Sequence, residues 1–422
     1  MFSKLGAVGI RGATLLLGIL SITLTAPFLG ISDFGRYALL QSIIAWTVLV
    51  ALGLPETCSG IINKFRQAPS FSGAKAYFDN SFIAIAITAS AFAVPLLMVS
   101  LPWPWSDYFG QMRPFAIGLF LALLSIPFTL TQSVLNANGE IARSMAWAFM
   151  TAALTVISIL LVIHVIPLAA DQRLLAVVIA SGSAVFVSRL VMHVVETRRA
   201  FKTSWPSSRI SAKRLKVLSK SAYPFLILTL AALAAFQVDR LVTFYFLPSA
   251  DVAKLEVVMK VLMAAYALNT VFNAKLWHSI GEVWNAGDGK AARRTLKRAL
   301  WSSAAYWSAA GLAVALLIEP VIRIFTRGAL EIDDPFFVAT AFAYVAARGL
   351  VDAVSISIFA TRNQHQVIKT VLMHGVLNIP CSIVGCALLG LPGIMIGQLL
   401  TILLTSGWRF PILFREITRA RL

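Results

Sequence analysis

The chain has 422 residues, 59% of them hydrophobic and only 13% charged, with a formal net charge of +18. Soluble domains carry about 25% charged residues, so this composition excludes an ordinary soluble protein and points to a membrane. The positive charge then bears on topology rather than on nucleic-acid binding.

A helix needs about 20 apolar residues to cross the hydrocarbon. Taken in chain order, uncharged runs that meet or approach this length cover 12–32, 37–55, 80–106, 114–139, 144–170 and 299–318. Less clean spans, each interrupted by ionisable residues, fall near 174–195, 221–247, 255–276 and 335–360. The run 370–408 holds no Asp, Glu, Lys or Arg, and GLPG at Gly390 to Gly393 divides it into two spans joined by a tight turn. The expectation is an all-α integral membrane protein of about twelve transmembrane helices. A spanning barrel would need short alternating strands, whereas these runs are continuously apolar. Lys4 and the apolar run after it read as the first span, because the run exceeds a signal core and eleven more spans follow.

Segments 1–11, 56–79, 138–143, 196–220, 275–298, 361–369 and 409–422 hold most of the 36 Lys and Arg residues. The positive-inside rule therefore predicts that both termini are cytoplasmic. All loops are short, which leaves no room for a soluble catalytic domain. The longest stretch outside the spans is the basic linker 196–220, with RRAFK followed by KRLKVLSK. It reads either as an amphipathic segment on the inner surface or as a topology signal alone.

Motifs for chemistry are scarce. AGDGKAARR at Ala286 lacks the first glycine of a phosphate-cradling loop, so ATP hydrolysis is not expected. His164, His193, His278, His365 and His374 show no ligand spacing, and neither a metal site nor a cofactor is expected. Cys58, Cys381 and Cys386 form no CxxC and read as small buried hydrophobes.

A repeat is more informative. FLGISDFGRYALL at Phe28 and FLPSADVAKLEVV at Phe246 align Phe28, Leu29, Asp33 and Arg36 with Phe246, Leu247, Asp251 and Lys254, at an offset of about half the chain. PFAIGLF at Pro114 and PFFVATAF at Pro335 continue the series, as do LNANGE and FATRNQ. Six spans per half give the two copies the same orientation, so they are parallel repeats about an axis along the membrane normal. The reading is two six-helix lobes, 1–203 and 204–422, around a central cleft. That architecture serves alternating access and suits a transporter rather than an enzyme. Asp33 with Arg36, and Asp251 with Lys254, are then outer-turn pairs at the mouth of each lobe, or solvated turns.

The stretch FLGISDFGRYALLQSIIAWTVLVALGLPE resembles the first hairpin of Wzx-type polysaccharide flippases, in the multidrug, oligosaccharidyl-lipid and polysaccharide (MOP) exporter superfamily. QVDRLVTFYFL with the following VVMKV, IRIFTRGAL, NANGEIAR and TRNQHQ are similar too. The resemblance implies movement of an undecaprenyl-pyrophosphate-linked oligosaccharide from the inner to the outer leaflet of a bacterial cytoplasmic membrane. Expected partners are that lipid-linked oligosaccharide, membrane lipids and other polysaccharide assembly proteins, with no nucleic acid.

Interior charges fit such a substrate. Arg11, Arg240 and Arg348 are the candidate cleft cations for pyrophosphate, with Arg189 as a further interior arginine, because a guanidinium donates paired hydrogen bonds and keeps its charge when desolvated. Arg11 is alternatively a snorkelling anchor. Asp239 and Asp352 are candidates for ion coupling or charge pairing. As helix neighbours, Asp239 and Arg240 point about 100° apart and cannot share a face. Arg348 and Asp352, four residues apart, can pair, either as a permanent strut or as a pair that opens to take up substrate. Two alternatives stay open: a multidrug or cation antiporter of the same superfamily, and a polytopic glycan polymerase or ligase. For the enzyme, EIDD at Glu331 to Asp334 is the only suggestive feature. A major-facilitator sugar carrier ranks third, after the flippase and the exporter, since NKFRQAPSFSGAK lacks the loop motif of that group.

Overall fold

Hydrocarbon offers no partner for an exposed N–H or C=O, so a chain this apolar must satisfy its backbone internally, as helices. The computed structural model describes residues 4–66, 71–100, 112–203, 205–361, 363 and 366–419. They form α1 (Lys4–Leu29), α2 (Ile31–Trp46), α3 (Leu54–Arg66), α4 (Phe71–Ser100), α5 (Arg113–Ala137), α6 (Ile141–Val165), α7 (Arg173–Phe201) and α8 (Ala212–Phe236). They continue as α9 (Val238–Phe246), α10 (Ser249–Asn285), α11 (Gly289–Phe325), α12 (Pro335–Ala360), α13 (Ile368–Leu389), α14 (Leu391–Leu404) and α15 (Ser406–Arg419). Short 3₁₀ segments, Thr47–Ala51 and Ala170–Gln172, extend α2 and precede α7.

Among the described residues, 11 helical stretches are long and apolar enough to cross a membrane. The expected eighth span, 255–276, is not one of them. It lies inside the 37-residue α10. The seventh span is not one helix: α8 stops at Phe236, Gln237 interrupts it, and α9 resumes at Val238. Residues 101–106 of the third span, His365 and part of the TRNQHQ loop lie outside the described residues.

The chain divides into two compact units, Met1–Thr229 and Leu230–Leu422. Unit 1 packs Leu54, Cys58, Ile85, Leu130 and Leu218 into its core, so the first turns of α8 belong to it. Unit 2 is centred on Ile280, Ala292, Ala353, Ile358 and Phe414.

The basic linker is helical at both ends, which are absorbed into α7 and α8, and the chain between them is held against the start of α4. Asp79 and Asn80, each only 1% exposed, do the holding. Asp79 Oδ2 accepts from the backbone N–H groups of Ser207 (3.1 Å) and Ser208 (2.9 Å), and Lys75 Nζ donates to the same oxygen at 2.7 Å. Asn80 Oδ1 accepts from Ser211 N at 2.8 Å, while its amide donates to Arg209 O at 3.4 Å. A buried carboxylate that accepts from this many donors fixes the backbone that surrounds it.

At GLPG, Gly390 adopts φ +66°, the left-handed region that a turn between two helices requires and that glycine enters without strain. The α13–α14 hairpin then closes on Gly385 and Gly393, where a Cβ on either residue would collide with the backbone carbonyl of the other. Small residues at such a crossing let helices approach closely in lipid. Gly385→Ala is therefore expected to cost about 1–3 kcal/mol through overpacking, read as a lower thermal unfolding midpoint of the detergent-solubilised protein. Gly281→Ala, where an added Cβ meets open space, should leave that midpoint in place.

Candidate functional site

The residues aligned by the repeat mark two helix starts. Asp33 lies in the first turn of α2 and Asp251 in the first turn of α10, where a carboxylate favours the helix dipole. Arg36 Nη1 lies 3.3 Å from Asp33 Oδ1, and Lys254 Nζ lies 4.0 Å from Asp251 Oδ1. All four side chains are partly exposed, so each pair contributes little. Arg11 is exposed on α1 and makes no ion pair among the described residues.

In unit 2, Asp239 and Arg240 diverge to different surroundings. Arg240 Nε donates to Glu256 Oε2 of α10 at 2.5 Å, and Lys260 Nζ stands 3.3 Å from Glu256 Oε1. The side chains of Arg240 and Glu256 are only 18% and 7% exposed. Glu256 was not anticipated from the sequence as the partner of Arg240. The available signal was its own place near the start of a span, where an acid demands a cation. Asp239 is 4% exposed, and its Oδ1 has no hydrogen-bond partner. Gln398 of α14 approaches it without a well-formed hydrogen bond. On α13, Asn378 Nδ2 donates to Ala234 O, in the last turn of α8, at 2.9 Å, while its Oδ1 and the Ser382 hydroxyl are unpartnered. Polar atoms without partners thus collect on three elements beside the break at Gln237.

Arg348 and Asp352 pair along one face of α12, at 3.2 Å. The Tyr266 hydroxyl of α10 also donates to Asp352 Oδ2, so a third group fixes the carboxylate. One turn away the polar contacts continue: Ser303 Oγ donates to Asn269 Oδ1 at 3.1 Å, and Asn269 Nδ2 donates to Gly349 O at 3.4 Å.

Unit 1 contains a cavity of about 310 Å³ between α2, α5, α6 and α7. Arg189 of α7 lines it, about 24 Å along the helix from Arg173 at 1.5 Å per residue. Its Nη1 donates to Ser125 Oγ at 2.7 Å, and no carboxylate pairs with it among the described residues. The lining includes Tyr37, Gln41, Thr129 and Ser181, but no Asp or Glu.

Among the described residues no group of three or more His, Cys, Asp or Glu side chains is arranged to hold a metal. Cys58, on α3 outside the spans, is fully buried, and burial pushes its thiol up to about 12, far from a reactive thiolate.

No protein-family model and no curated protein matches the chain. Solved structures do. The fold is similar to that of a multidrug resistance MATE transporter of the MOP superfamily in its inward-facing conformation, with a TM-score of 0.70 and 15% identity over 97% of this chain and 95% of that one. It is also similar to the lipid II flippase MurJ in an inward closed conformation, with a TM-score of 0.76 and 14% identity over 99% and 91% of the two chains. A third similar structure is a MOP superfamily transporter from Pyrococcus furiosus, described as having a binding pocket of reverse polarity (TM-score 0.62, 12% identity, 99% and 96% covered). The chain therefore has the MATE/MOP-like fold. The proteins that share it here are transporters and a flippase, not enzymes.

Removing one partner of a buried ion pair strands the other charge, which costs about 3–5 kcal/mol. Glu256→Gln should thus destabilise unit 2 by that order, seen as a lower unfolding midpoint. The double change Glu256→Gln with Arg240→Met should recover most of the loss, because the buried guanidinium is then gone and the cation left without its carboxylate is the more exposed Lys260.

Proposed function

We propose that the chain is a flippase. It moves an undecaprenyl-pyrophosphate-linked oligosaccharide, the repeat unit of a polysaccharide, from the cytoplasmic to the periplasmic leaflet of a bacterial inner membrane by alternating access. The observation that carries this reading is the sign of the unanswered charge. In unit 2 the interior arginines Arg240 and Arg348 already face carboxylates. In unit 1 Arg189 lines a cavity whose lining holds no Asp or Glu. An ionisable group inside a span costs about 2.5–3.5 kcal/mol on insertion scales, and a cavity-lining cation kept at that cost suits an anionic cargo. A cation exporter would need the opposite sign at the same place. The fold shared with a lipid II flippase supports a lipid-linked substrate.

Arg11, Arg240 and Arg348 are the further cations offered to the pyrophosphate, the latter two by exchanging Glu256 and Asp352 for it. Of the two candidate coupling acids, Asp239 is the better placed. Asp352 is tied to Arg348 and Tyr266, whereas the buried Asp239 Oδ1 is free to take a proton or a cation. No nucleotide is needed. Carrying negative charge outward across an inside-negative membrane is favourable by about 2.3 kcal/mol per charge per 100 mV.

The test is translocation of a fluorescent lipid-linked oligosaccharide by purified protein in proteoliposomes without nucleotide. An imposed inside-negative potential should raise the rate several-fold. Asp239→Asn should retain substrate binding and lose the response to an ion gradient. Sugar transfer onto the glycan in place of translocation, or a strict requirement for ATP, would overturn the reading.

A further inference from the structure

The cavity in unit 1 has a second property, carried by its hydroxyls. Ser125 Oγ donates to Ala122 O (2.7 Å), Thr129 Oγ1 to Ile126 O (2.6 Å) and Thr155 Oγ1 to Thr151 O (2.9 Å). Ser181 Oγ donates to Val178 O (3.3 Å), and Thr47 Oγ1 to Ile44 O (2.7 Å). All five line the cavity. A hydroxyl has one proton and two lone pairs, and each of these has committed its proton to a carbonyl of its own helix. What these five keep for a ligand is lone pairs; the Gln41 amide and the Tyr37 hydroxyl, the other uncharged polar groups of the lining, carry donors as well. Arg189 supplies the opposite function: of its five N–H donors, Nη1 reaches Ser125, and a guanidinium edge remains for the cavity.

One cationic fork among acceptor oxygens selects a particular chemistry. A bare inorganic anion satisfies Arg189 but turns its own lone pairs toward those of the hydroxyls. A neutral sugar satisfies the hydroxyls and leaves the guanidinium without an anion. An ammonium compound, or a zwitterion that carries one, brings a second positive charge into a space near the small end of the range of about 300–1,000 Å³ for ligand pockets. We propose that this cavity is a recognition site for an acidic sugar, a pyranose bearing a carboxylate or a phosphate. The anionic group meets Arg189, and the sugar hydroxyls donate to the ring of Ser and Thr oxygens. The volume admits part of a glycan headgroup rather than a whole oligosaccharide, so the site reads one acidic residue of the cargo. This assignment rests on the transport reading above and narrows its substrate.

The experiment is isothermal titration calorimetry on the full-length protein in detergent, with glucuronate, glucose 1-phosphate, glucose and inorganic phosphate. At least one acidic sugar is expected to bind ten times or more tighter than glucose and inorganic phosphate, and the tighter of the two identifies the anion as carboxylate or phosphate. Arg189→Gln should erase that preference. Thr129→Val, which removes an acceptor and keeps the shape, should weaken the acidic sugar several-fold and leave inorganic phosphate unchanged. Inorganic phosphate binding as tightly as either acidic sugar would overturn the proposal, as would an unchanged preference in a folded Arg189→Gln protein. Translocation by a wild-type protein that binds neither acidic sugar would overturn this site and spare the flippase reading. Arg189-dependent sugar binding without translocation would do the reverse.

Discussion

An ion moved from water into the interior of a spanning helix loses solvation that only another charge, or a set of aimed dipoles, can replace. Much of unit 2 is arranged around that demand. Glu256 of α10 answers Arg240 of α9, Lys260 shares the same carboxylate, and Tyr266 braces the Asp352 that answers Arg348. These contacts tie α10 to both α9 and α12, so the electrostatic requirement doubles as the packing order of the helices. Unit 1 meets the demand differently, leaving Arg189 with a hydroxyl and a cavity in place of a carboxylate.

What could be read in the sequence follows from which interactions are local. Length and apolarity identify spanning helices without any knowledge of neighbours, and GLPG marks its own turn, since glycine alone enters the φ at Gly390 without strain. The Arg348–Asp352 pair was legible because both ends lie on one helix at a spacing that faces them together. The partner of Arg240 was not, because it sits on the next helix. The break at Gln237 left no proline or glycine to announce it. The strap on the linker depends on backbone N–H groups meeting Asp79, a contact that side-chain identity does not encode.

A fold shared at 12–15% identity with multidrug transporters and with a lipid flippase carries little information about cargo. At such distances the helices keep their order while the side chains that face a substrate are replaced. The sign and the donor or acceptor character of those side chains therefore say more here than the topology. The committed hydroxyls illustrate the point. A serine or threonine bonded back to its own helix offers a guest its lone pairs for as long as that bond is kept.

The strap at Asp79 and Asn80 bears on how the chain is made. The first turns of α8 contribute Leu218 and Ala222 to the core formed by Ala51, Leu54, Cys58 and Leu130. A ribosome that has released only the first six spans has thus not yet released all of unit 1. Domains fold as units during synthesis, at about 5–20 residues per second, so this core waits on the residues just past the linker. Asp79 and Asn80, already in place, offer the emerging strand of backbone its docking point. The seam between the halves of this molecule is therefore a matter of timing as well as of space, and a gene cut at the linker would deliver a first half with a gap in its core.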